Sequence, residues 1–319
     1  MEYFCTYFDI NYLSRGLVLY DSLLKHVDDF RLFILCHDEE TFVTLKQLDR
    51  EKIIPINIKD FEMNDFQLKQ AKNNRSKIEY YFTCTPSLPL YILKNNLAIE
   101  SIAYLDADLY FFDSYDTVKT EVGNASIAII PHHFPFGNED KLQFGKFNVG
   151  YIFFRNDFHG LRCLEEWRSN CIKWCYDKVE NGKFADQKYL DQWPNDYENL
   201  KIINHKGMNL APWNIKQYNI VQRDGKIQVD LDNLVFVHFH AFRKIKNRFY
   251  EPGLHGYGVQ LTNVMREYIY RPYVQNLTEI EKTLRKNFSA IDSNIGRAKQ
   301  IYSNFQFLIH WIRRRFIFV

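Results

Sequence analysis

The stretch IESIAYLDADLYFFDS, residues 99–114, decides the fold. Ile102 to Leu105 form an apolar run with the composition of a buried strand, and Asp106 and Asp108 mark where that strand leaves its sheet. Open α/β sheets bind ligands just beyond the carboxyl ends of their strands, so the two carboxylates stand where a site is expected. Separated by one residue, they can approach one hard divalent cation together, and such cations demand oxygen ligands. The alternative is a solvated acidic turn. The apolar residues on both sides speak against it, because unpaired carboxylates in such surroundings are costly.

Toward the amino terminus, YFCTYFDI (3–10) reads as another buried strand, and LSRGLVLYDSLLKH (13–26) carries apolar residues at 13, 16, 17, 20, 23 and 24, the helical period. FRLFILC (30–36), a short helix and KIIPINI (52–58) continue the alternation of strand and helix that builds a parallel α/β sheet. YYFTCTPSLPLYILKNN (80–96) reads as a helical stretch interrupted by Pro86 and Pro89. SIAIIP (126–131) and FNVGYIFFRN (147–156) supply further strands. Asn156-Asp157 can cap a helix with apolar positions at 161, 164, 167, 171, 174 and 175. LVFVHFHAF (234–242) is a late strand ending in His238 and His240, and an imidazole there can complete a coordination sphere begun by Asp106 and Asp108. The competing reading of each histidine is a satisfied core residue.

Composition excludes some partners. With 319 residues and 46% hydrophobic content the chain can bury a large core, so general disorder is ruled out. A net charge of +2 lacks the clustered basic face that nucleic acid requires. Six cysteines lie in apolar segments without zinc-ligand spacing, which fits a reducing cytoplasm. The opening MEYFCTYFDI has no basic region ahead of an apolar stretch, and no run reaches membrane-spanning length, so neither that secretory route nor a spanning helix is expected. The ending FQFLIHWIRRRFIFV (305–319) joins bulky apolar residues to Arg313, Arg314 and Arg315. That suits the inner face of an anionic membrane, or equally a helix docked on the core with a solvated arginine end.

Taken in order, FDINYL, YLDADLYFF, FNVGYIFFRN, ADQ and VHFHAFRK resemble the retaining glycosyltransferases of family 8 and their bacterial relatives, over about residues 3 to 250. The resemblance implies an α/β A-type glycosyltransferase (nucleotide-diphospho-sugar transferase) fold, a Rossmann-like mixed sheet flanked by helices. It implies a catalytic domain over 1–258, and leaves 259–319 as a helical extension with the basic aromatic tail. It also implies a UDP-sugar donor, Mn2+ or Mg2+, and transfer with retention; a glycan or lipid-linked acceptor is the expectation for a cytoplasmic enzyme with such a basic aromatic tail.

Carried over residue by residue, the resemblance gives the nucleotide to Asp9 and Asn11, with the adjoining Tyr12, and the metal to Asp106, Asp108 and His238. Asn148 falls near the donor sugar, Asp186 and Gln187 beside the reacting carbon, and Lys244 on the diphosphate. Arg75 can face the diphosphate too, with a solvated helix start as its alternative. For Asp186 and Gln187 the alternative is a helix cap and its neighbour. Ala241 and Arg243-Lys244-Ile245 stand where the family has glycine and a Lys-Pro-Trp run. His132, His133 and the HGYG at 255–258 lie in expected loops, where they can line a ligand or simply serve the turns.

Three rivals remain. A catalytically silent sugar-nucleotide-binding scaffold would not need the intact acidic pair and His238. A nucleotidyltransferase wants a Gly-rich basic loop after its first strand, and FDINYLSRG offers one glycine and one arginine. A haloacid-dehalogenase-type phosphatase wants Thr or Val where Tyr110 stands.

Overall fold

The computed structural model describes residues 1–246, 248–288, 310–311 and 315–318. In chain order the strands are β1 (Glu2–Phe8), β2 (Phe30–Cys36), β3 (Ile53–Asn57), β4 (Ser101–Leu105), β5 (Leu109–Phe111), β6 (Ile127–Pro131), β7 (Phe147–Arg155), β8 (Leu200–Ile202), β9 (Ile220–Arg223), β10 (Lys226–Val229), β11 (Asp232–Asn233), β12 (Phe236–His238), β13 (Arg243–Lys246), β14 (Phe249–Glu251) and β15 (Ile317–Phe318). The helices are α1 (Leu13–His26), α2 (Glu39–Leu48), α3 (Ile58–Met63), α4 (Phe66–Ala71), α5 (Lys77–Asn95), α6 (Asp116–Val122), α7 (Phe158–Lys173), α8 (Trp193–Asp196) and α9 (Arg271–Asn287). Contacts divide the chain into two units, one of Met1–Asp9, Val27–Ala107 and Tyr115–Asn204, the other of Ile10–His26, Asp108–Ser114 and the described residues from His205 onward.

The first unit holds a sheet of order β3-β2-β1-β4-β7-β6-β8. β3, β2, β1 and β4 are parallel neighbours, and β8 is parallel to β6. β7 runs antiparallel to both β4 and β6, so the sheet is mixed, as the resemblance implied, where the alternation of elements alone predicts a parallel one. Composition records that FNVGYIFF is buried on both faces; direction is set by pairing, which composition does not contain. The antiparallel course has a use. It brings the beginning of β7, with Asn148, to the edge where β1 and β4 end, and β6 delivers its own end, before His132, to the same edge.

Helices cover the sheet. α7 starts where expected, with the Asp157 carboxylate accepting from the Gly160 amide at 2.9 Å, and it buries Cys163, Leu164, Trp167 and Cys171. Gly160 is obligatory there, because a Cβ would lie 2.1 Å from the carbonyl oxygen of Arg155. α5 corrects an expectation: Pro86 and Pro89 lie inside one continuous helix. Each proline removes a backbone donor. Burial of Tyr80, Cys84, Leu88, Leu90, Ile92 and Leu93 in the core offsets that loss, at about 1.5–3 kcal/mol for each large apolar side chain. A capping box of Ser76 and Glu79 fixes the helix start.

In the second unit β5 pairs antiparallel with β12, Leu109 opposite His238 and Phe111 opposite Phe236. α1 packs on β5 and α9. Phe239 stacks on Tyr273 of α9, ring centroids 3.8 Å apart. β9, β10 and β11 form a small antiparallel sheet, and β13, β14 and β15 another. The last described residues are therefore a strand rather than a helix end. Phe249 and Tyr250 of β14 offer an open edge; Phe318 and Ile317 pair with it, and Phe316 and Ile317 are buried. Of the tail arginines Arg315 is described, while Arg313 and Arg314 lie outside the described residues. All six cysteines are free and buried. Among the described residues no helix is long and apolar enough to cross a membrane.

Candidate active site

The acidic pair sits where the opening stretch placed it, immediately after β4. The Asp106 amide donates to the Gly150 carbonyl at 2.9 Å, the last rung of the β4–β7 ladder, and its carboxylate accepts from the Tyr104 hydroxyl at 2.8 Å. Asp108 belongs to the second unit. There the Phe239 amide donates to its carbonyl at 2.9 Å, and His238 Nε2 lies 3.1 Å from its Oδ1. The boundary between the units falls between Ala107 and Asp108. One ligand atom from each of Asp106, Asp108 and His238 lies within 4.8 Å of the others. Two carboxylates and one imidazole suit a borderline-hard divalent ion such as Mn2+, and Mg2+ where waters supply the remaining oxygens.

Burial alone would push the Asp108 carboxyl up, but His238, by charge and hydrogen bond, then Arg15 and His240, outweigh it and bring the carboxyl down to about 2. The pair is packed as well as charged. The His238 ring stands edge-on to Trp213 at 5.0 Å, and His240, exposed beyond the strand end, meets the same indole at 5.3 Å.

At the same sheet edge in the first unit, Asn148 is locked by its own strand. The Gly150 amide donates to its Oδ1 at 3.0 Å, which leaves Nδ2 directed at Gln187 Oε1, 3.4 Å away, and at His132 Nε2, also 3.4 Å away. Gln187 Nε2 donates to the Phe144 carbonyl at 2.9 Å. Gln187 precedes a short helical turn without capping it through its side chain, so the helix-cap alternative does not account for that amide. Gly145, at φ +129°, lets the loop pass beneath it; a Cβ there would lie 3.2 Å from Gln187 Cγ. The neighbouring Asp186 is buried, its carbonyl accepts from Trp167 Nε1 at 2.8 Å, and Ala185 before it is left-handed at φ 44°. Burial first, and Asp106 second, raise the Asp186 carboxyl to about 7 against the opposing hydroxyl of Thr85.

Asp9, at the end of β1, accepts from Lys77 Nζ at 2.7 Å and Tyr81 hydroxyl at 3.2 Å. Tyr81 stacks on His37 at 3.8 Å, and burial lowers that imidazole to about 3, so it is neutral. Nothing near Asp9 in the sequence marks Tyr81 or His37 as its neighbours; the amphipathic period of α5 is the only local signal. Asn11 and Tyr12 are exposed in the second unit, and the Arg15 guanidinium lies 4.5 Å from the centre of the Tyr12 ring. Arg75 is tied internally: it donates to Ile172 carbonyl at 3.1 Å and to Asn74 at 2.7 Å, and lies 4.0 Å over the Tyr176 ring. Lys244 pairs with Glu281 at 2.8 Å. His132 stacks on Phe134 at 4.6 Å, His133 takes a left-handed φ of 51°, and His255–Tyr257 form a helical turn closed by Gly258.

A Rossmann-like mixed sheet with an acidic pair at the end of β4 is the A-type glycosyltransferase fold. The galactosyltransferase LgtC, solved in complex with donor and acceptor sugar analogs, superposes with a TM-score of 0.55 over 87% of this chain and 95% of that one, at 14% identity. An active-site mutant of LgtC with glutamine replaced by glutamate gives 0.52 over the same shares, also at 14% identity. The chain belongs to the family of YfnF, an uncharacterized protein of Bacillus subtilis (strain 168), with 31% identity over 248 residues, 75% of this chain and 81% of the relative. YfnD of the same organism, also uncharacterized, is 28% identical over 282 residues, 86% and 88% of the two chains. No protein-family model matches.

Proposed function

We propose that this chain is a metal-dependent glycosyltransferase that moves a sugar from a nucleotide sugar, a UDP-sugar by the family resemblance, to a glycan or lipid-linked acceptor with retention. The observation that carries the reading is the set of Asp106, Asp108 and His238 ligand atoms within 4.8 Å of one another, directly beyond the strand end where this fold binds ligands. Asp106, Asp108 and His238 would hold a divalent cation, which would supply positive charge against the departing nucleoside diphosphate. Asn148 and Gln187 are held where the family resemblance puts them, beside the donor sugar, to orient it. Asp186, half-protonated near neutrality, can both donate to and accept from a sugar oxygen. The acceptor hydroxyl then attacks the anomeric carbon on the face the nucleotide leaves, through an oxocarbenium-like state, as the bond from that carbon to the diphosphate oxygen breaks and the departing diphosphate takes up the hydroxyl proton. Gln187 forms no covalent adduct, since an amide is a poor nucleophile. Reduced, buried cysteines favour action in the cytoplasm. Phe316 and Ile317 are taken up by β14, which leaves the exposed Trp311 as the described part of the tail to meet anionic lipid at the inner membrane face.

Thermal shift with a panel of nucleotides and sugar nucleotides, with and without Mn2+, tests this on the wild type and on Asp108→Ala. Stabilisation by UDP or a UDP-sugar that needs the metal and vanishes in the variant is the expected result. A wild type indifferent to every nucleotide would leave the catalytically silent scaffold as the better account.

A further inference from the structure

Three cations of the second unit bear on the turn that follows His238: Arg243, Lys244 and Arg15. The first two are already spent. Arg243 Nε lies 2.6 Å from Glu251 and Lys244 Nζ 2.8 Å from Glu281, which Arg285 also approaches at 4.0 Å, and both acids are buried, so each cation is committed to a carboxylate held away from water. Arg15 differs. Its Nη2 donates to the carbonyl of Phe242 at 2.6 Å and its guanidinium lies over the Tyr12 ring, both neutral partners. Among the described residues no carboxylate comes within ion-pair distance of it.

The turn holds this unspent charge beside the metal-ligand candidates. Asp108 carbonyl accepts from Phe239, Phe239 carbonyl accepts from Phe242 at 3.1 Å, and Phe242 carbonyl accepts from Arg15, so three successive hydrogen bonds connect the guanidinium to Asp108. The turn is stiff: Ala241 is left-handed at φ 57°, and the backbone passes Gly253 so closely that a Cβ there would lie 2.4 Å from the His240 carbonyl. A half-buried guanidinium with one nitrogen committed to a carbonyl keeps N–H groups for anionic oxygens, and guanidinium forks match phosphate geometry.

We infer that Arg15, and not Lys244, is the protein cation that meets the diphosphate of the nucleotide sugar, with Tyr12 beside it. This rests on the proposed function above. The resemblance gives the diphosphate to a lysine after the metal histidine; in this chain that position serves Glu281, and the charge comes from the start of α1.

The test compares binding of UDP and of uridine, which lacks the phosphates, by calorimetry in Mn2+ on wild type, Arg15→Gln, Arg15→Lys and Lys244→Met. Arg15→Gln is expected to lose at least tenfold in UDP affinity with uridine affinity unchanged, and Arg15→Lys to recover part of the loss. Lys244→Met is expected to lower the melting temperature while keeping the wild-type preference for UDP over uridine. An unchanged preference in Arg15→Gln, or its loss in Lys244→Met, overturns the assignment while leaving the glycosyltransferase reading in place. A wild type that binds Mn2+ but neither UDP nor uridine overturns both.

Discussion

His238 Nε2 and Asp108 Oδ1 face each other at 3.1 Å with both side chains almost fully buried, at 5% and 12% exposure. The register of β5 against β12 produces the contact, since Leu109 opposes His238 and Asp108 is the residue before. A buried carboxylate needs such a partner or a metal. His238→Ala is therefore expected to do two things. It should weaken Mn2+ binding by 10-fold or more, seen by calorimetry, and lower stability of the metal-free protein by about 1–3 kcal/mol by leaving Asp108 buried without its imidazole.

Asp108 and Asp186 should give stability opposite dependences on pH. The folded-state pKa of Asp108 is depressed to about 2, so its contribution is present above the unfolded value and is lost as pH falls through about 2. Asp186 is raised to about 7, so the folded state holds the extra proton and stability is lost as pH rises from the unfolded value toward about 7. In metal-free melts, Asp186→Asn is expected to gain on the wild type progressively between about pH 4 and pH 7, with a constant margin above that. A margin independent of pH would contradict the buried, protonated Asp186.

The Lys244–Glu281 pair should behave as structure and not as ligand machinery. Lys244→Met alone is expected to cost about 1–3 kcal/mol, because the buried Glu281 loses its nearer cation and keeps only Arg285, at 4.0 Å. Adding Glu281→Leu should recover most of it. Chemical denaturation of the two single variants and the double variant measures the coupling.

Gly145→Ala tests how tightly Gln187 is held. The residue sits at φ +129° and the new methyl would press on Gln187 Cγ at 3.2 Å. Loss of turnover is expected to exceed tenfold, with stability reduced by about 1–2 kcal/mol for the strained backbone. Equal activity would mean that the Gln187 side chain does not need its present position.

What the sequence shows of this fold is what is local. An apolar run ended by two aspartates marks β4 and its site, and Asp157 ahead of a 3.6-period pattern marks α7, because caps and periods are short-range. The sequence reads α5 as interrupted for the same reason: the cost of Pro86 and Pro89 is local, and the core that offsets it comes from distant segments. The direction of β7 is settled by β4, more than forty positions earlier in its register. Charges behave alike. Lys244 finds Glu281, Asp9 finds Lys77 and Arg75 finds Ile172, and none of these partners lies within reach of a sequence window. Candidate residues are thus visible by type and order, and their occupation by internal partners is not.

The central claim is that the Asp106, Asp108 and His238 cluster serves sugar transfer from a nucleotide donor. Release of UDP from a panel of UDP-sugars, with Mn2+ or with a chelator, on wild type and Asp108→Asn, tests it most directly. The account predicts release from at least one UDP-sugar that requires the metal and disappears in the variant. Release that survives both the chelator and Asp108→Asn, or none from any nucleotide sugar by a wild type that binds Mn2+, would contradict it.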